Sequence, residues 1–122
     1  MVHSVLVVDD DPHVVDKIRA ELEARDVNVE AAGDARSACA LLDEQRFCGL
    51  ILDVVLAEGN GFDVLRHLDR NGMVIPTVVI THKLPAYVRE MLSEEQVKLV
   101  FPKPIEMRVL SAVILGLCGM ES

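Results

Sequence analysis

The chain has 122 residues, 12 basic and 20 acidic side chains for a net charge of −8, and 51% apolar residues of which few are aromatic. That length suits one domain, residues 1–122, around a core of Val, Leu, Ile, Ala and Met. The acidic balance argues against a face that grips a nucleic-acid backbone, and no apolar run approaches the roughly 18 residues needed to cross a bilayer.

The first apolar run, residues 4–8, reads as a buried strand and ends in Asp9-Asp10-Asp11. Val14, Ile18 and Leu22 then recur at helical spacing behind Pro12, a residue tolerated in a first turn. A second strand is predicted over residues 27–31, shorter and more polar, as an edge strand would be. Ala35, Ala38 and Leu42 follow at helical spacing, with Asp34 placed to cap that helix.

The third strand, residues 49–52, ends in a lone acid, Asp53. Phe62, Leu65 and Leu68 form the next helical stripe, starting after Gly61 and stopping at Asn71-Gly72. Residues 75–80 make a fourth strand that closes on Thr81, and Val88, Met91 and Leu92 trace a helix after Pro85. Residues 97–101 make the fifth strand, just before Lys103-Pro104, and a last helix runs from about residue 106 to 118. Five alternating units of this kind predict a single α/β domain: a doubly wound parallel sheet, (βα)5, with helices on both faces.

Ligands of such sheets sit beyond the carboxyl ends of the strands, where strand order reverses. A flavodoxin-like order 2-1-3-4-5 brings strands 1 and 3 together there, with Asp9, Asp10, Asp53, Thr81 and Lys103 at one rim. Gathered carboxylates repel unless a cation intervenes. Mg2+ suits them because it takes a few carboxylate oxygens, keeps waters and bridges to phosphate. A carboxylate such as Asp53 can also act as a nucleophile toward phosphorus. Taken singly, each of these residues has a plainer reading as a cap, a turn former, a strand-end threonine or a surface lysine.

The ordered set resembles the receiver domain of the two-component response regulators, chemotaxis-regulator-like, over essentially the whole chain. In that resemblance Asp9-Asp10 match the acidic pair, Asp53 the phosphorylated aspartate, Thr81 the switch threonine and Lys103-Pro104 the lysine with its proline. Gly61, in the loop leading into the third helix, matches as well. The resemblance implies that Asp10, Asp53 and the Val55 carbonyl bind Mg2+ directly, with Asp9 acting through water. It also implies a cis Lys103-Pro104 bond, and a sensor histidine kinase or phosphotransfer protein as phosphoryl source, with acetyl phosphate as a small donor. Catalysis would be limited to the domain's own phosphorylation and dephosphorylation. The output would pass through the face made by the helix after Pro85, the fifth strand and the last helix.

Four positions depart from the family pattern. Ala57 replaces a common proline, and His82 stands where a small residue is usual, narrowing the approach to Asp53 or meeting the phosphate. Val100 takes the place of the switch aromatic, with Phe101 one residue out of register and so on the other face. Pro102 removes a backbone donor. Val55 and Lys83 hold two positions that tune phosphate lifetime in the family, and an apolar Val55 implies slow self-hydrolysis.

The last helix, with Met107, Val109, Leu110, Ala112, Val113, Ile114, Leu115 and Leu117, shows scarcely any polar face. A homodimer or effector interface there is one expectation, and ordinary core packing the other. Cys39, Cys48 and Cys118 are expected as buried free thiols in a reducing cytoplasm, with neither a disulfide nor a zinc site. Two rival functions remain. One is a receiver-like interaction module without phosphorylation. The other is a haloacid-dehalogenase-type phosphatase using Asp9-x-Asp11, although that class needs a later acidic pair where this chain has residues 101–104.

Overall fold

Runs of Val, Leu and Ile bury both faces of a parallel sheet when helices cover each side, and here they do. The computed structural model describes residues 3–56, 59–82 and 96–120. Its strands are β1 (His3–Val8), β2 (Val27–Ala32), β3 (Gly49–Asp53), β4 (Thr77–Thr81) and β5 (Val97–Pro102). All pair in parallel, in the order β2-β1-β3-β4-β5. The described helices are α1 (Pro12–Glu23), α2 (Ala35–Glu44), α3 (Gly61–Arg70) and α4 (Met107–Leu117). The predicted helix after Pro85 lies outside the described residues, as do Ala57 and Lys83.

Alternate residues of each strand feed two cores. Leu6, Val8, Leu50, Leu52 and Val79 pack under α2 and α3 with Ala38, Leu42, Val64, Leu65 and Leu68. Val5, Val7, Ile51, Val78 and Ile80 pack on the other face with Ile18 and Leu22 of α1 and Leu110, Ile114 and Leu115 of α4. The sheet is therefore doubly wound, with β2 as one edge.

Helix starts follow local chemistry. Asp11 caps α1 by accepting the His13 N–H at 2.9 Å, and Asp34 caps α2 by accepting the Ser37 N–H at 2.7 Å. Asn60 and Asp63 close a reciprocal capping box on α3. That helix ends at Asn71, with Gly72 at φ +63° providing the left-handed turn.

Two expectations are corrected. The fourth strand begins at Thr77, not at residue 75. Pro76 has no N–H to give a ladder, and the Ile75 N–H is taken at 2.9 Å by the side chain of buried Gln96. Gln96 also donates to Asp69 at 3.0 Å, tying the end of α3 to the start of β5.

Second, the cysteines are not all free. Cys48 and Cys118 form a disulfide across a sequence separation of 70, and Cys39 alone is unbonded. The packing of α4 on the sheet brings the two together, which spacing in the sequence cannot show.

The apolar character of α4 is largely used inside the domain. Leu110, Ser111, Ile114 and Leu115 are buried, while the outward positions hold Arg108, Ala112, Gly116 and one large apolar residue, Val109, 47% exposed. Among the described residues, no helix is long and apolar enough to cross a membrane.

Candidate functional site

The acids, the hydroxyl and the ammonium meet because β1, β3, β4 and β5 are adjacent and run the same way. Register sets their height: Val8 pairs with Leu52, Asp53 with Ile80 and Thr81 with Pro102, so the residues closing each strand share one rim. A backbone bond from Lys103 N–H to the Thr81 carbonyl, 2.8 Å, carries the lysine back over that rim. The Lys103-Pro104 peptide is cis, as the resemblance implied.

Lys103 lies between two carboxylates. Its Nζ is 2.9 Å from Asp53 Oδ2 and 2.8 Å from Asp9 Oδ2, and the side chain is almost wholly buried. Asp53 Oδ1 accepts the Val55 N–H at 3.1 Å, while Asp9 Oδ1 accepts the Asp11 N–H at 2.8 Å. Asp9 Oδ2 is buried and meets the Lys103 ammonium as an ion pair. Asp10 is exposed beside them, and Thr81 is buried.

Electrostatics follow from burial. Loss of water pushes the Asp53 carboxyl above the ordinary carboxylate range, and hydrogen bonds from Lys103 and Val55 only partly restore it. Burial also opposes the Lys103 charge. Hydrogen bonding and attraction from Asp9 and Asp53 outweigh that and hold its pKa above the usual lysine range.

One oxygen from each of Asp9, Asp10 and Asp53 can lie within 4.8 Å of the others. Three carboxylates against one ammonium leave about two negative charges uncompensated when all are ionised. A cleft of about 410 Å³ opens over them, lined by Asp10, Asp11, Asp53, Val55, Thr81, His82 and Lys103. An oxygen-only donor set and this charge deficit fit a hard divalent cation.

The departures from the family pattern also have places. His82 is exposed and borders the cleft. Val100 packs with the α2/α3 core and Phe101 with the α1/α4 core, so they face opposite sides of β5. An irregularity between Thr77 and Val78, where Thr77 pairs with Val97 but Val78 with Leu99, leaves Lys98 as an extra residue and sets that register. Sequence reasoning did not find this bulge.

Gly61 shows why the turn behind Asp53 needs a glycine. A Cβ there would sit 3.0 Å from the Asp53 carbonyl and 3.2 Å from Val54 Cα, both backbone. Gly61→Ala should therefore displace the Asp53 loop and destabilise the fold by about 1–3 kcal/mol. A thermal melt checks this, and an unchanged midpoint would contradict it.

Residues 5–115 match the family model described as the response regulator receiver domain. The chain is 31% identical over 119 residues to the response regulator MprA of Mycobacterium leprae, covering 93% of this chain and 50% of that one. It is 36% identical over 80 residues to the probable transcriptional regulatory protein TcrX of Mycobacterium tuberculosis, covering 66% of this chain and 34% of that one. It thus spans about half the length, or less, of these curated relatives. Among solved structures, the receiver domain of sensor histidine kinase PA1611 from Pseudomonas aeruginosa aligns with a TM-score of 0.84 at 21% identity, covering 98% of this chain and 99% of that one. That structure has a magnesium ion coordinated in its active-site cleft. At such identity the likeness speaks for the fold.

Proposed function

The chain belongs to the response regulator receiver domain family, and from that premise we propose that it accepts a phosphoryl group on Asp53 in a Mg2+-dependent reaction. The observation that carries this is the Asp53 carboxylate at the end of β3, buried, paired with Lys103 and open to an acidic cleft. The phosphoryl source is the phosphohistidine of a sensor histidine kinase or phosphotransfer protein in the cytoplasm, as family members interact with such partners. Acetyl phosphate serves as a small surrogate.

An Asp53 oxygen attacks phosphorus and forms the acyl phosphate, while the bond to the donor's imidazole nitrogen or acetate oxygen breaks. Lys103 holds positive charge beside the attacked group, and Thr81, which lines the cleft, donates one hydrogen bond to it through its hydroxyl. Asp10, Asp53 and the Val55 carbonyl would hold the cation, with Asp9 reaching it through water. The cation supplies charge neutralisation for the phosphoryl oxygens when bound. The reaction stops at the domain's own modification, so it is no turnover enzyme toward a free substrate.

The signal leaves when Thr81 and Lys103 move toward the new phosphate and bias the face made by β5, α4 and the predicted helix after Pro85. No aromatic swing at position 100 accompanies this, since Val100 occupies it and Phe101 is committed to the opposite core. That face is where a homodimer partner or effector would dock.

Intact mass after incubation with acetyl phosphate and Mg2+ tests the reading. A single phosphoryl adduct is expected, and no adduct with any small donor or with beryllofluoride would overturn it. Chelating the cation should slow labelling about 100-fold or more, because a bound divalent ion contributes several kcal/mol of charge stabilisation. Added Mg2+ should restore the rate, and a rate indifferent to chelator would contradict the metal assignment.

A further inference from the structure

A second covalent chemistry sits at the far end of the same strand that carries Asp53. We infer that Cys48 and Cys118 are a reversible thiol–disulfide modification site that fastens the last turn of α4 to the start of β3. Cys48 immediately precedes β3 and its N–H is bonded to the Ser4 carbonyl at 2.9 Å, so β1 holds it in place. Cys118 is the C-cap residue of α4, its N–H bonded to the Ile114 carbonyl at 2.9 Å. Their Cα atoms are 5.0 Å apart, within the span a bridge tolerates.

Access and competition favour this pair. Both cysteines are half-buried, which leaves part of each residue open to solvent, and Gly49, whose Cβ would stand 3.5 Å from Cys118 Sγ, has no side chain to crowd the bridge. Cys39 lies on α2, on the opposite face of the sheet. Burial, together with the charges of Asp43 and Asp63, pushes its thiol pKa up, which lowers the thiolate fraction that would attack.

The co-reactant is a low-molecular-weight disulfide of the glutathione class. The thiolate of one cysteine attacks it, forming a mixed disulfide and releasing one thiol. The second cysteine's thiolate then attacks the protein sulfur of that mixed disulfide, closing the bridge and releasing the second thiol. Two electrons pass from the protein sulfurs to the reagent, and the two protons end on the released thiols. Excess reduced thiol runs the sequence backward.

The consequence is local to α4. Beyond the bridge, its C-terminal turn is held by Gly119 N–H to the Gly116 carbonyl, 3.1 Å, Met120 N–H to the Leu115 carbonyl, 2.8 Å, and the apolar contacts of Leu115 and Leu117. Reduction should loosen this turn while leaving Asp53, at the other end of β3, able to be labelled.

The full chain, equilibrated with oxidised glutathione or with dithiothreitol, is denatured, alkylated and weighed, and amide hydrogen exchange is followed in parallel on the folded forms. One alkylatable thiol is expected after oxidation and three after reduction, with the single thiol mapping to Cys39. Exchange of the amides at 115–118 should rise at least about tenfold on reduction, while acetyl phosphate labelling changes less than about twofold. Cys39→Ser should retain the bridge, and Cys118→Ser should exchange like the reduced protein in both buffers. Three free thiols after oxidation, a glutathione adduct retained on Cys48 or Cys118, or exchange of α4 indifferent to redox state would each overturn the inference.

Discussion

Asp53→Asn should abolish phosphoryl labelling while raising the melting temperature of the unliganded protein at neutral pH. The first effect is chemical, because an amide oxygen is no nucleophile toward phosphorus and cannot form an acyl phosphate. Mass after acetyl phosphate treatment should show no adduct, and equal labelling of variant and wild type would remove Asp53 as the acceptor.

The second effect follows from its pKa. Burial raises the Asp53 pKa in the folded state above that of the unfolded chain, with the Lys103 and Val55 hydrogen bonds compensating only in part. A carboxyl raised in this way contributes its stability fully below the unfolded value and loses it as pH rises through the folded value. Asn never ionises, so the variant escapes that loss. The gap in melting temperature should be open at neutral pH and close on acidification through the carboxylate range, and a gap that widens on acidification would contradict the raised pKa. Added Mg2+ should stabilise the wild type more than the variant.

Leu50→Ala should produce the largest loss of stability by a different route. Leu50 is fully buried in β3, its N–H bonded to the Pro76 carbonyl at 3.0 Å and its side chain within the α2/α3 core. Truncation removes buried apolar surface and leaves a cavity that flanking strands cannot close, which destabilises by roughly 2–5 kcal/mol. For a domain of this size that lowers the melting temperature by roughly 10–20 °C. Labelling of Asp53 in the still-folded protein should persist, since position 50 lies near the opposite end of the strand. A melting temperature within a degree or two of wild type would show that this core is looser than its burial implies.

Much of the site was legible because its chemistry lies at strand ends. Asp9-Asp10, Asp53, Thr81 and Lys103 each follow an apolar run, and in a parallel sheet every run ends on the same side. The opposite facing of Val100 and Phe101 was legible from alternation alone. Less legible was how the groups pair. That Lys103 bridges Asp9 as well as Asp53 depends on backbone direction after β5. The role of Gln96 in starting β4 was invisible, since no local pattern announces a side chain that replaces a strand's hydrogen bond.

What the order of residues determined by itself is the (βα)5 plan, its two apolar layers and the list of groups at the rim, because periodicity, capping and strand-end chemistry are properties of neighbours in sequence. Tertiary structure alone decided that Cys48 meets Cys118, that Lys98 is the extra residue of β5 and that the apolar excess of α4 is mostly spent inside the domain. Those outcomes turn on through-space distances between elements distant along the chain. Distances of that kind are set by how helices seat on the sheet, and they have no signature in any local stretch of residues.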